Sequence, residues 1–148
     1  MRIISGKAGG IALSVPKGEV RPTTDRVREA LFSILNPLIG HADVLDLFTF
    51  GLEALSRGAG SSRMVDFSRL SCATAKANLA KTGLEGGAVI QGDAVQFVKR
   101  ELLAGRKYDI VFADPPYCKG PADRDFIVEL AEAGIAGLLK DGGVFIAE

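Results

Sequence analysis

Histidine and paired cysteine are scarce in this chain, and each shortage removes a class of chemistry. The one histidine, His41, sits in the loop-like stretch "PLIGHAD", where a solvated side chain is expected rather than a catalyst or a ligand. The two cysteines, Cys72 and Cys118, lie far apart and form no CxxC pair, which argues against a disulfide framework or a zinc site and for a reducing cytoplasm. No apolar run approaches the ~20 residues that span a bilayer, and "MRIISGKAGG" lacks the long apolar stretch of a secretory leader, so neither a membrane anchor nor export is expected. Net charge is absent as well. What remains is an ordinary globular composition, 47% hydrophobic and 24% charged over 148 residues, enough for one domain around one core.

The neutral total hides an uneven spread. Residues 1–30 carry Arg2, Lys7, Lys17, Arg21, Arg26 and Arg28 against only Glu19, Asp25 and Glu29, and the rest of the chain balances the surplus. A basic arm on an acidic body suits phosphate contacts; a merely solvated surface has the same composition.

Two β-like runs, 2–5 and 11–15, flank a glycine-rich turn and predict a hairpin. "TTDRVREALFSILNP" predicts a helix capped by Thr23 or Thr24, with Asp25 in its first turn, an apolar stripe of Val27, Ala30, Leu31, Ile34 and Leu35, and Pro37 as its stop. From there the pattern alternates. "DVLDLF", "RMVDF", "AVIQGD", "YDIVFAD" and "VFIAE" read as strands. "GLEALSRGA", "RLSCATAKANLAKT" (capped by Ser68, ended by Gly83), "AVQFVKRELLAG" and "DRDFIVELAEAGIAGLL" read as helices, with "KDGG" as a turn. Strands alternating with helices imply an α/β fold, a mostly parallel sheet with helices on both faces.

Such sheets bind ligands beyond the carboxyl ends of their strands. Here those ends carry Asp46, Asp66, Asp93, Asp114 and Glu148. Ionised carboxylates only accept hydrogen bonds, so the set suits a ligand rich in hydroxyls and amines and disfavours a triphosphate. "DPPY", residues 114–117, follows the most apolar strand. Its prolines fix φ and remove two N–H donors, leaving carbonyls as acceptors. Asp114 adds a carboxylate and Tyr117 a flat face, so the tetrapeptide can clamp a planar amine such as the exocyclic NH2 of a nucleobase, with stacking worth roughly 1–3 kcal/mol. Orientation and stabilisation of the charge growing on nitrogen would carry the catalysis. A rigid strand-to-helix turn is the plainer alternative for two adjacent prolines.

"DPPY" after an apolar strand resembles the S-adenosylmethionine-dependent amino-methyltransferases of the Rossmann-like class. "MRIISGKAGG", "RPTTDRVREALFSIL", "VLDLF", "GLEALSRGA" and "DIVFADPPY" together resemble the bacterial 16S ribosomal RNA guanine-N2-methyltransferases, over essentially the whole chain. The resemblance implies a class I methyltransferase fold preceded by a β-hairpin and helix: residues 1–40 as an RNA-contacting extension and 41–148 as the cofactor-binding core of a single domain. It implies that Asp46 lies beside the methionine part of S-adenosylmethionine, that Asp66 accepts from the ribose hydroxyls, and that Asp93 with the amide of Ala94 holds the adenine. Phe48, Gly51 and Phe67 would line the same site. Asp114, Pro115, Pro116 and Tyr117 would hold a flipped guanine and its amine, S-adenosylhomocysteine would be the product, and no metal would be needed. Arg2, Lys7, Arg21, Thr23, Arg26 and Arg28 would meet 16S rRNA or an assembling small subunit, with a monomer as the working form.

Three departures stand out. Only Thr49 and Phe50 separate "DLF" from "GLEAL", where the resemblance implies a longer glycine turn. "SSRMVDF" looks short for its strand. Relatives also continue for roughly 35 residues past the position of Glu148, room for two more strands. A degenerate product and a natural protein that carries residues this chain does not contain both remain open, the second being preferred. Alternatives to guanine N2 methylation are N6-adenine or N4-cytosine methylation of DNA or RNA, which the same clamp would serve, and a non-catalytic RNA-binding module.

Overall fold

The computed structural model describes residues 1–15, 25–47, 51–114 and 123–147. Its centre is a parallel sheet of β1 (Asp43–Leu47), β2 (Ser61–Asp66), β3 (Gly87–Gln91), β4 (Tyr108–Ala113) and β5 (Leu139–Ala147), in the order β3-β2-β1-β4-β5. Between them run α2 (Gly51–Ser56), α3 (Arg69–Thr82), α4 (Ala94–Ala104) and α5 (Phe126–Ala133), and α1 (Asp25–Ile39) precedes the sheet.

Alternation along the central strands explains the layering. Val44, Met64, Ile110 and Phe112 pack with α1 and α2 through Phe32, Leu35, Ile39, Leu52 and Leu55. Their neighbours Leu45, Leu47, Val65 and Val111 pack with α4 and α5 through Val95, Phe97, Val98 and Leu130. Both faces are therefore apolar, and β4 reads as a continuous hydrophobic run for that reason. Phe32 meets Phe112 with ring centroids 5.6 Å apart in a tilted pair, and the Arg57 guanidinium lies 4.9 Å over the Phe32 ring.

Several sequence expectations change. Helix α1 does not bury Val27, Ala30, Leu31, Ile34 and Leu35 as one stripe: Ile34 is 76% exposed and Val27 is exposed too, while Arg28, Phe32, Leu35 and Ile39 face inward. The helix is rotated because the Arg28 guanidinium takes a buried place in an ionic network. Nor does Pro37 stop it. Proline removes one N–H near the end of the helix, and burial of Ile39 holds the last turn. The N-terminal hairpin is reduced to one antiparallel bridge, Arg2 to Ala12, flanked by Ile3 N–H to Ile11 O and Gly10 N–H to Ile3 O. Helix α2 stops at Ser56, and the long helix expected after Asp123 breaks at Gly134 into α5 and a 3-10 turn. Strand β2 is not short. It starts at Ser61 and keeps five-residue register with both neighbours. "KDGG" is absorbed into β5 as an irregularity, since Tyr108 pairs Leu139 but Ile110 pairs Val144.

His41 is an exposed turn residue with φ 59°, and Cys72 is a buried free thiol. Among the described residues no helix is long and apolar enough to cross a membrane, and no group of three or more potential ligands could hold a metal ion. Arg21, Thr23, Thr24, Phe48, Pro115, Pro116, Tyr117, Cys118 and Glu148 lie outside the described residues.

Candidate functional site

Strand order reverses between β1 and β4, so the crevice beyond their carboxyl ends is the place where this topology accepts ligands. Asp46 and Asp114 stand on its two sides. Register pairs Asp46 with Phe112 and Leu47 with Ala113, and the Asp114 N–H donates to the Leu47 carbonyl at 3.3 Å. Both carboxylates are buried, at 3% and 6% exposure. Asp46 shares the parity of Val44 and therefore the α1–α2 side of the sheet. There its Oδ2 accepts the first amide of α2, Gly51 N–H, at 2.8 Å. Gly51 itself has no room for a side chain: a Cβ would stand 2.4 Å from Met64 Cγ and 2.6 Å from Ser62 Oγ.

One strand further, Asp66 ends β2. Its Oδ1 accepts the Ser68 N–H at 2.8 Å, just ahead of the Ser68 cap on α3, and its carbonyl accepts the Gly92 N–H at 2.9 Å. That last bond sets the turn after β3 against the end of β2, and Asp93 follows at once. Phe67, next in the chain after Asp66, is 74% exposed. Burial raises the Cys72 thiol pKa, and the Asp66 charge adds to it.

Asp93 does two things. Its Oδ1 accepts Val95 N–H at 2.9 Å and Gln96 N–H at 3.1 Å, the N-cap arrangement of α4. Its Oδ2 accepts from Arg124 Nη1 at 2.6 Å. The Arg124 hydrogen bond holds the Asp93 carboxyl below the usual carboxylate range, against a smaller opposing effect of burial. Ala94, at the first position of α4, is buried.

The acceptor set fits a cofactor with hydroxyls and an amine. Asp66 and Asp93 are acceptors on neighbouring turns, and Phe67 offers a flat surface beside them. S-adenosylmethionine has those groups: ribose hydroxyls, an adenine amine and a planar ring.

The basic arm divides. Arg2, Lys7 and Arg26 are exposed. Arg28 is not: it is buried, contrary to the RNA contact expected of it. It is 2% exposed, and its Nη2 donates to the Arg2 carbonyl at 2.9 Å and to Asp25 Oδ1 at 2.6 Å. Its Nη1 lies 3.5 Å from Glu53 Oε1. Glu53, also buried, accepts the amides of Ile4 and Ser5 at 2.9 and 3.3 Å and the Arg57 Nε at 2.9 Å. Ser56 completes the seam. It receives Ala8 N–H on its hydroxyl at 3.0 Å and Lys7 N–H on its carbonyl at 2.8 Å, and its Oγ donates to Ser5 O at 2.6 Å. Gly6 is required there, because a Cβ would fall 1.9 Å from Ser56 O. Further along, Asn78 of α3 exchanges two 2.9 Å bonds with the Ser14 backbone.

Sequence reasoning missed Glu53, Ser56, Asn78 and Arg124. Glu53 carried a signal, a lone carboxylate in the short helix "GLEALS" that is buried throughout. Arg124 carried none, because its partner Asp93 lies 31 residues away in another segment.

The family described as conserved hypothetical protein 95 matches residues 1–148. The chain is 39% identical over 125 residues to the ribosomal RNA small subunit methyltransferase D of Escherichia coli K12, a match covering 81% of the chain and 62% of that protein. It thus spans about three fifths of the length of this curated relative. A hypothetical protein of Thermus thermophilus superposes with a TM-score of 0.84 at 31% identity, covering 99% of this chain and 84% of that one. A 16S rRNA N2 methyltransferase of the same organism, in complex with AdoMet and guanosine, superposes with a TM-score of 0.69 at 25% identity, covering 88% of this chain and 35% of that one.

Proposed function

The chain belongs to the conserved hypothetical protein 95 family, and from that premise we propose that it methylates the exocyclic N2 amine of a guanine in small-subunit ribosomal RNA, with S-adenosylmethionine as donor. Its fold is the Rossmann-like one of the class I methyltransferases. The observation that carries the reading is the pair of buried carboxylates, Asp46 and Asp114, flanking the point where strand order reverses.

S-adenosylmethionine, when bound, supplies a methyl group on a positively charged sulfur. The chain's residues bind and orient. Asp66 accepts from the ribose hydroxyls, Asp93 from the adenine amine, and Phe67 lies beside the ring. Asp46 fixes the start of α2 through Gly51 and is proposed to lie beside the methionine part. Asp114 accepts an N–H of the target amine, which keeps the nitrogen lone pair directed at the donor and stabilises the charge that grows on it. A base inside a helix cannot reach Asp114, so the target must leave the stack. Pro115, Pro116 and Tyr117 are assigned the rest of the base pocket by the resemblance alone. Exposed Arg2, Lys7 and Arg26 are proposed to meet RNA phosphates, with Arg21 and Thr23 as further candidates, and a cytoplasmic monomer is the proposed working form.

Labelled methyl from S-adenosylmethionine should enter 16S RNA or small subunits with the wild type and be largely lost with Asp114→Ala, while affinity for S-adenosylhomocysteine stays nearly unchanged. Collapse of cofactor binding in that variant would make Asp114 a structural residue instead.

A further inference from the structure

Arg124 sits at one node of an ordered network. Its Nε and Nη2 fork onto Glu129 Oε2 and Oε1 at 3.0 and 2.9 Å. The guanidinium plane lies 4.3 Å over the Phe126 ring, and the remaining Nη1 reaches Asp93 Oδ2 at 2.6 Å. An isolated ion pair at 46% exposure would count for little. Here the bidentate fork and the ring fix the guanidinium before it meets Asp93, and such preorganised arginines lose less freedom per bond formed. Helix α5, whose start carries Phe126 and Glu129, is thereby linked to the N-cap of α4.

Counting acceptor sites shows what the link does. A carboxylate offers roughly four lone-pair positions. On Asp93, Oδ1 gives two to Val95 and Gln96, and Oδ2 gives one to Arg124. One position on Oδ2 is left, in a carboxylate whose rotation is locked from both ends. Asp93 follows Gly92, whose amide is bonded to the Asp66 carbonyl, so its side chain starts from the turn beside Asp66.

We propose that Arg124 is a positioning residue for nucleobase choice in the cofactor: it fixes the Asp93 carboxylate so that its last acceptor position reads the adenine amine. The inference rests on the methyltransferase reading above. The lowered Asp93 pKa agrees with it, since an acceptor must stay ionised to select a donor. A carbonyl in place of the amine would face the carboxylate as acceptor against acceptor.

The test compares S-adenosylhomocysteine with S-inosylhomocysteine, which carries a carbonyl at the amine position, by calorimetry on the wild type, Arg124→Gln and Arg124→Lys, each checked for an unchanged melting temperature. The wild type should prefer the adenine compound by about tenfold to a hundredfold, the range for one hydrogen bond to a charged group. Arg124→Gln should cut that ratio to within about threefold by weakening the adenine compound alone, and Arg124→Lys, which keeps a charge on Asp93 but loses the fork, should fall between. A Gln variant that weakens both compounds equally makes Arg124 a structural brace. One that binds S-adenosylhomocysteine more tightly makes it a competitor for Asp93. Either overturns the inference, as does a Lys variant no better than Gln. A wild type that binds neither compound overturns the methyltransferase reading and this one with it.

Discussion

The carboxylate of Asp46, four residues along β1, accepts the amide of Gly51, the first residue of α2, at 2.8 Å. Strand and helix are joined by this bond across the short segment between them. Read as sequence alone, "VLDLFTFGLEALSRGA" gave no sign of a brace.

Replacing Asp46 by alanine leaves the buried Gly51 N–H without this acceptor. A cost of about 1–3 kcal/mol in unfolding free energy is expected. Asp46→Asn, which keeps an acceptor oxygen, should cost less. Urea unfolding of both variants checks the order; an alanine variant as stable as the wild type would show that the bond is not holding α2.

Arg28 and Arg26 are two positions apart and should behave oppositely. Arg28→Ala takes one of two ionic partners from buried Glu53 and leaves Arg57 as the other, and a loss of about 1–3 kcal/mol is expected. Arg26→Glu changes an exposed site and should leave stability within about 0.5 kcal/mol. It should instead weaken RNA binding and flatten the dependence on salt by roughly one phosphate contact. Equal stability losses in the two variants would contradict the division of the basic arm.

The rotation of α1 is open to a simpler check. Phe32→Ala should cost about 3–5 kcal/mol, while Ile34→Ala, on the exposed face, should stay well under about 1 kcal/mol. The reverse order would restore the stripe read from the sequence.

At the opposite end of β4, the Tyr108 hydroxyl donates to Glu101 Oε1 at 2.6 Å, and Arg63 Nη1 donates to the same oxygen at 2.9 Å. Burial, and then the Glu101 carboxylate, raise the Tyr108 pKa well above its ordinary 10.0. Below that ordinary value both folded and unfolded chains keep the proton, and the group adds no pH dependence. Above it the unfolded chain releases the proton and the folded chain does not, so stability falls as pH rises. Unfolding measured from about pH 9 to about pH 11 should show a smaller decline for Tyr108→Phe than for the wild type. Identical slopes would mean that Tyr108 ionises freely in the folded chain.

How much of this was legible beforehand follows from the range of each interaction. The parallel sheet and its strand ends are local: five apolar runs and the aspartates that follow them can be read residue by residue. The cap of α3 by Ser68 and its end at Gly83 are local too. What escaped depends on partners far along the chain. The inward turn of Arg28 needs Glu53, and the second role of Asp93 needs Arg124. Pro37 misled because a helix stop is a tendency of the backbone, and here burial of Ile39 outweighed it. The strand read as "RMVDF" left out Ser61 and Ser62, which begin β2. Ser61 is in fact held by its hydroxyl, which donates to Asp43 Oδ1 at 2.8 Å, and Ser62 is fully buried.

The central claim is that the carboxylates around the switch point serve methyl transfer to guanine N2. It is tested most directly by incubating the protein with methyl-labelled S-adenosylmethionine and small-subunit ribosomal RNA, digesting the RNA to nucleosides and identifying the labelled one. The account predicts N2-methylguanosine, lost with Asp114→Ala. Label in N6-methyladenosine or N4-methylcytidine, or no label with protein that binds the RNA, would contradict it.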